Sequence, residues 1–296
     1  MYLIVLKKTK SSNDMQNLFS DKLQKIAKKM GTTEGVTIED GGSSSEDSME
    51  EDIGGNSKGL MNHDPVKDAA KLIDLELVNL LRYCHTLSTT YKENEEYQEE
   101  VMMKAIELGK KQKPKLLIFD MDETLVAAKF AGSVPEKFQS TFSFPYQSTE
   151  ISVRLRPYLS DALEKLSQFY EMVVFTAGQQ DYADNILDYI DPEKKYFQRR
   201  LYRQDCIKCD QFYIKDLDII LDREKTEIII VDNSIVSFAF DLENGVPINS
   251  FMGTEEDDKE LLFLYSFLEE ASKSEDVRTT ISESFKLSYL QSTILN

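Results

Sequence analysis

KLLIFDMDETLV, residues 115–126, runs from an apolar stretch into two aspartates two positions apart, with a threonine two further on. A short apolar run of this kind reads as a buried strand, and Asp120 and Asp122 fall at its carboxyl end. Alternation along an extended chain turns the two side chains in different directions while keeping both at the strand's end. One carboxylate can then attack while the other handles protons. Like charges in a confined site repel unless a cation or a proton is present. Taken alone, the motif also reads as an acidic turn after a strand.

Two more strand-like runs end in polar chemistry. EMVVFTA, 171–177, ends in Thr176, and EIIIVDNS, 227–234, ends in Asp232 and Asn233. Between them FYIKDL carries Lys215. Each residue has a plain structural use: Thr176 as a strand-end turn residue, Lys215 as a solvated lysine, Asp232 and Asn233 as helix caps or loop starters. Open α/β sheets, however, place ligands outside the carboxyl ends of parallel strands, where all of these groups can converge. Strands near 115–120, 171–176, 227–232 and 246–250, alternating with helices near 157–169, 180–190 and 256–271, predict an α/β fold. We expect a three-layer sandwich: a mainly parallel sheet with helices on both faces.

Other chemistries fit less well. The two histidines, His63 and His85, precede the motif region, so no serine–histidine or phosphohistidine mechanism has a base there. Neither Cys206 nor Cys209 has an arginine six positions later to cradle a phosphate. The two form a lone CxxC, short of the four ligands of a structural zinc, and read as buried or loop thiols. No glycine-rich nucleotide loop is visible. With 35 basic against 53 acidic residues in 296, the net charge is -18, which disfavours nonspecific binding to nucleic acid or anionic membrane. An acidic ligand is repelled at long range too. Lys215, Arg203, Arg199 and Arg200 are the local cations that must overcome this.

DMDETLV, RLRPYL (154–159), VVFTAGQQDYAD (173–184), RRLYRQDC (199–206), YIKDL and VDNS occur in this order over roughly residues 114–270. This set resembles the haloacid-dehalogenase-like phosphatases, and within them the small C-terminal-domain phosphatases of the FCP1/SCP and Dullard type. The resemblance implies a protein serine/threonine phosphatase in which Asp120 attacks phosphorus to form an aspartyl-phosphate and Asp122 serves as acid and then base. It implies Mg²⁺ held through Asp120, Asp122, Asp232 and Asn233, with Asp122 contributing its carbonyl. Thr176 and Lys215 would bind the phosphoryl group. Phe130 resembles an aromatic lining a pocket for a proline-containing peptide, with ordinary packing as its alternative, and Arg203 resembles a position that contacts the phosphopeptide. The substrates implied are phosphoserine or phosphothreonine proteins, of which RNA polymerase II C-terminal-domain phosphopeptides are one class. Gln179 and Gln180 replace a more apolar segment of the small nuclear members, which weakens the case for that polymerase tail. Three alternatives stay open: a small-molecule phosphatase of the same superfamily, a non-catalytic phosphopeptide-binding relative, and a phosphotransferase or scaffold whose N-terminal helices matter more than its crevice.

Outside the resemblance, residues 1–62 read as a largely flexible N-terminal region. It holds a small basic amphipathic helix at 14–30 and a Gly/Ser-rich acidic stretch, GGSSSEDSMEEDIGGNS, that cannot bury a core. MYLIVL is too short to span a bilayer, so a soluble intracellular protein is expected, with nucleus and cytoplasm undecided. Residues 63–112 read as a helical extension. One helix enters at Asp64-Pro65 with a stripe of Val66, Ala69, Ile73, Leu77, Leu80, Cys84 and Leu87, and a second covers about 93–108, stopping at Gly109. The two are expected to form a hairpin beside the core, with docking of a protein partner as the alternative. Residues 113–272 read as the phosphatase-like domain, with a small β insert at 127–153 expected to roof the crevice. Residues 273–296 read as a C-terminal tail with no assignable task.

Overall fold

The structure, a computed structural model, describes residues 65–295. The helix expected at 14–30 and the Gly/Ser-rich stretch lie outside them. The described residues divide into two units between Leu77 and Val78. Of the first, only the start of helix α1 (Pro65–Lys92) is described; everything below concerns the second.

The expected continuous runs form the sheet. Strands β1 (Lys115–Phe119), β5 (Tyr170–Phe175) and β9 (Ile228–Asp232) are buried at every residue, so both faces of the sheet are covered. This is the layered α/β arrangement read from the sequence. Five strands lie parallel in the order β10-β9-β1-β5-β6, with β1 at the centre and β10 (Gly245–Pro247) at one edge. The other edge, β6 (Phe197–Leu201), was not anticipated as a strand. Its residues, FQRRL, are polar in the middle because an edge strand keeps solvent along one side.

The insert is a separate antiparallel sheet in the order β2-β4-β3, formed by β2 (Val126–Phe130), β3 (Phe142–Tyr146) and β4 (Thr149–Leu155). Helix α3 (Leu159–Leu166) follows it, and helix α4 (Gln180–Ile190) follows β5. A two-stranded hairpin, β7 (Ile207–Cys209) and β8 (Phe212–Ile214), leads directly into Lys215. Helix α5 (Glu260–Ala271) packs against α3, and the Tyr170 hydroxyl donates to Leu268 O at 2.6 Å.

Helix α2 (Glu95–Lys104) begins at Asn94, whose side chain accepts from the Glu96 amide, and ends earlier than expected. Its continuation is taken into an extended bridge, where the Ile106 amide donates to Ile219 O and the Leu221 amide to Ile106 O. Leu80, Cys84 and Leu87 of the expected stripe are buried.

The C-terminal residues read as a tail form helices α6 (Val277–Phe285) and α7 (Leu287–Leu295). Val277, Ile281 and Phe285, four residues apart on one helix face, are buried, and the Phe285 ring meets Phe267 edge-on at 5.2 Å. Gln291 Nε2 donates to Leu81 O, so α7 reaches the second half of α1. Asp276 caps α6 by accepting from the Arg278 amide, a start signal visible in the sequence. Among the described residues no helix is long and apolar enough to cross a membrane.

Candidate active site

Parallel pairing brings the first and last motifs together. In the β1–β9 register Phe119 stands opposite Val231, and the Asp120 amide donates to Val231 O at 2.9 Å, so Asp120 emerges beside Asp232. On the other side Phe119 pairs with Val174, which puts Thr176 just past the neighbouring strand end. Lys215 closes the group from the end of β8. Its Nζ lies 2.5 Å from Asp120 Oδ1 and 2.6 Å from Asp232 Oδ2, and all three residues are buried.

One ammonium held between two carboxylates sets the electrostatics. Burial works against the charge on Lys215, and Asp120 and Asp232 more than offset it, so its pKa is raised. Burial pushes Asp232 up to about 6, with Lys215 pulling the other way. Both Asp232 oxygens are engaged, Oδ2 by Lys215 and Oδ1 by the Ser234 amide at 2.7 Å. Asp232 therefore orders the lysine here, each of its oxygens keeping a further lone pair. Asp120 Oδ2, by contrast, is buried and has no hydrogen-bond partner.

That orphaned acceptor is where a cation fits. Among the described residues no three His, Cys, Asp or Glu side chains converge on a metal position. Mg²⁺ does not require them, because it keeps several waters and takes one or two carboxylates. Asp120 Oδ2 is one available oxygen. Asn233 offers another through its amide oxygen, since its nitrogen donates to Glu123 Oε2 and Ser250 Oγ, each at 3.0 Å.

Asp122 sits in the turn after β1, which is tightened by amides of Thr124, Leu125 and Val126 donating to Met121 O and by Glu123 at φ 62°. Its Oδ1 accepts from the Tyr182 hydroxyl at 2.5 Å. Burial of the carboxyl pushes Asp122 up to about 7; the Tyr182 hydrogen bond pulls it down and neighbouring Asp120 adds to the rise. A carboxyl in that range can give and take a proton near neutrality. The sequence does not single out Tyr182, although it lies inside VVFTAGQQDYAD, in the first turn of α4.

Thr176 is buried, and its Oγ1 accepts from the Gly178 amide at 3.0 Å, which leaves its proton to be donated. Arg203 is fastened to the same loop: its amide donates to Gly178 O and its Nε to Ala177 O at 2.7 Å, while the guanidinium lies 5.1 Å from the Tyr213 ring. Arg200 is paired with Asp184 at 2.9 Å and Asp188 at 2.6 Å. Phe130 stands at the end of β2, 54 % exposed.

The insert meets the site through α4. Phe142 stacks on Tyr189 at 3.9 Å, Tyr146 approaches Tyr182 at 5.7 Å, and the Tyr146 hydroxyl donates to Gln179 Oε1 at 3.0 Å. Arg156, also not singled out beforehand, is buried and ties three segments: it pairs with Asp258 and donates to Thr124 O and Asn249 O. The thiols of Cys206 and Cys209 are buried and pushed up to about 12 by that burial, far from thiolate chemistry.

A family model described as NLI interacting factor-like phosphatase matches residues 115–278. CTD small phosphatase-like protein 2 of Dictyostelium discoideum is 42% identical over 178 residues, covering 59% of this chain and 30% of that protein. CTD small phosphatase-like protein 3 of Caenorhabditis elegans is 37% identical over 176 residues, covering 58% of this chain and 59% of the relative. The match thus spans less than two thirds of either relative. The fission yeast RNA polymerase II CTD phosphatase Fcp1 bound to beryllium fluoride aligns with a TM-score of 0.40 at 17% identity, over 68% of this chain and 64% of that one.

Proposed function

The chain belongs to the NLI interacting factor-like phosphatase family, and from that premise we propose that it is a Mg²⁺-dependent protein serine/threonine phosphatase working through an aspartyl-phosphate. The observation that carries the reading is the Lys215 ammonium lodged between Asp120 and Asp232, next to the unpartnered Asp120 Oδ2.

A phosphate monoester is anionic, so a carboxylate reaches phosphorus only where cations and donors neutralise the phosphoryl oxygens. Lys215 supplies one fixed positive charge, and the Thr176 hydroxyl supplies a donor. Asp120 attacks phosphorus: the Asp120 O–P bond forms as the P–O bond to the serine or threonine breaks. Asp122, protonated in part near neutrality, gives its proton to the departing oxygen. In the second displacement Asp122 takes a proton from water, the water oxygen bonds to phosphorus, and the Asp120 O–P bond breaks to release phosphate. The Tyr182 hydroxyl holds Asp122 in place for both transfers. Bound Mg²⁺, held by Asp120 Oδ2 and the Asn233 oxygen, would supply further charge neutralisation.

Phosphopeptides fit the outer face, where Arg203 stands beside the Thr176 loop and aromatic residues of the insert line α4. Polymerase-tail-like sequences, phosphothreonine proteins and small metabolites are separated by one assay: Mg²⁺-dependent phosphate release from a phosphopeptide panel and a metabolite panel, for the native chain and Asp120→Asn. Turnover on phosphopeptides that falls at least roughly a thousandfold in the variant supports the mechanism, because an amide is a poor nucleophile. Undiminished hydrolysis by Asp120→Asn would reject it.

A further inference from the structure

The helical extension lies outside the residues matched by the family model, yet it grips the segment that delivers Lys215. Its contacts run along the whole hairpin. Tyr83 of α1 meets Phe212 edge-on at 5.5 Å. The Tyr91 hydroxyl donates to Asp210 Oδ1 and accepts from the Asp210 amide, both at 3.0 Å, at the hairpin tip where Asp210 takes φ 52°. Lys104 of α2 donates to Cys206 O at 2.5 Å, just ahead of β7.

The grip continues past the lysine. Tyr97 is buried, and its hydroxyl donates to Oδ2 of Asp216, the residue directly after Lys215. Asp216 is fully buried, and its Oδ1 caps the following turn by accepting from the Asp218 amide at 2.9 Å. Lys92 pairs with Asp218 at 2.9 Å. The chain is thus tied to α1 and α2 through main-chain groups at 206 and 210 and through the carboxylates of 216 and 218, and Lys215 stands inside that bracket.

A lysine side chain is long and rotatable, so where its ammonium rests depends on where its backbone is fixed. The Lys215 amide donates to Ser237 O at 2.7 Å, and the extension holds the hairpin ahead of it at Cys206 O and the Asp210 amide and the Asp216 side chain directly after it. We propose that residues 78–104 form a positioning brace for Lys215, with Tyr97 its principal positioning residue and Tyr91 its second. The proposal rests on the reading of Lys215 as the cation that binds the phosphoryl group. It gives the extension a task in catalysis and makes α1 and α2 the route by which anything that moved them would tune turnover.

The test uses the full chain with Mg²⁺, p-nitrophenyl phosphate as substrate and orthovanadate as competitive inhibitor, on native protein, Tyr97→Phe and Tyr91→Phe. An inhibition constant is a property of the active molecules alone, so it does not change when a variant merely contains less folded protein. Tyr97→Phe is expected to weaken orthovanadate inhibition and lower kcat by about tenfold each, the scale of a sub-ångström misplacement of a catalytic group. Tyr91→Phe, which removes one hydroxyl at the hairpin tip, is expected to change both in the same direction by about threefold, and it decides the matter if Tyr97→Phe fails to fold. Inhibition constants that stay at the native value while melting temperatures fall would overturn the brace and leave the extension a structural support. A native chain that neither releases phosphate nor is bound by orthovanadate would instead overturn the phosphatase reading, and the proposal with it.

Discussion

Replacing Tyr182 by phenylalanine removes one hydroxyl from the site and leaves the ring contacts to Tyr146 and Phe144 in place. That hydroxyl donates to Asp122 Oδ1 at 2.5 Å and favours the ionised carboxyl, so its loss raises a pKa that burial has already pushed up to about 7. A hydrogen bond to a charged group contributes about 1.5–3 kcal/mol, and 1.36 kcal/mol corresponds to one pH unit, so at the lower end of that range the midpoint should rise by about one unit. If Asp122 must be protonated to release the alcohol, kcat/KM falls as pH rises through this midpoint. At pH 8 the protonated fraction goes from about a tenth to about a half, so kcat/KM relative to its low-pH plateau should be about fivefold higher in the variant. The assay is kcat/KM against pH for both proteins on one phosphopeptide, whose own ionisation is common to both and cancels. A falling limb that stays where the native one lies, or moves to lower pH, refutes the assignment of Asp122 as the acid. Stability moves the other way: the folded carboxyl binds its proton more tightly than the unfolded one, so stability drains as pH rises from about 4 to about 7, and further in the variant.

Lys215→Met leaves Asp120 and Asp232 buried without their cation, at a cost of about 3–5 kcal/mol, a melting decrease on the order of 10 °C. Without Lys215 the folded Asp232 carboxyl, already pushed up to about 6 by burial, holds its proton more tightly still, so the deficit should be larger at pH 8 than at pH 5; equal melting deficits at the two pH values would contradict this. Phe130→Ala, at an exposed position, should leave melting unchanged and raise KM for a proline-containing phosphopeptide about tenfold, with p-nitrophenyl phosphate unaffected; parallel changes on both substrates would assign Phe130 to packing. Arg156→Met strands buried Asp258 and two carbonyls and should lower stability by about 3–5 kcal/mol in urea titration, an unaltered midpoint showing that the three segments hold without it.

What was legible in the sequence follows from which signals are local. Strands β1, β5 and β9 announce themselves because a strand covered on both faces is apolar nearly throughout, and the polar residues at or just past their ends mark the site. Strand β6 does not, since an edge strand with solvent along one side keeps FQRRL polar. The link between Asp122 and Tyr182 spans 60 residues, and only helix α4 docking beside the turn after β1 reveals it. Arg156 is the same case: RLRPYL was quoted as a motif, but its partners at Thr124, Asn249 and Asp258 lie far along the chain in both directions. The helices from 277 to 295 carried a readable signal in Asp276 and the fourfold spacing of Val277, Ile281 and Phe285, which a polar, serine-rich composition obscured. The early end of α2 was not readable, because the bridge to Ile220 that terminates it is a tertiary event.

The placement of Asp120 at the end of the innermost strand has an operational consequence. Its amide is bonded to Val231 O, between neighbours on both sides, in the part of a domain that opens only when everything opens. On the proposed activity, a half-melted preparation is then expected to be a mixture of competent and inactive molecules. Its Michaelis constant stays that of the intact protein while its maximal velocity declines in step with the surviving fraction.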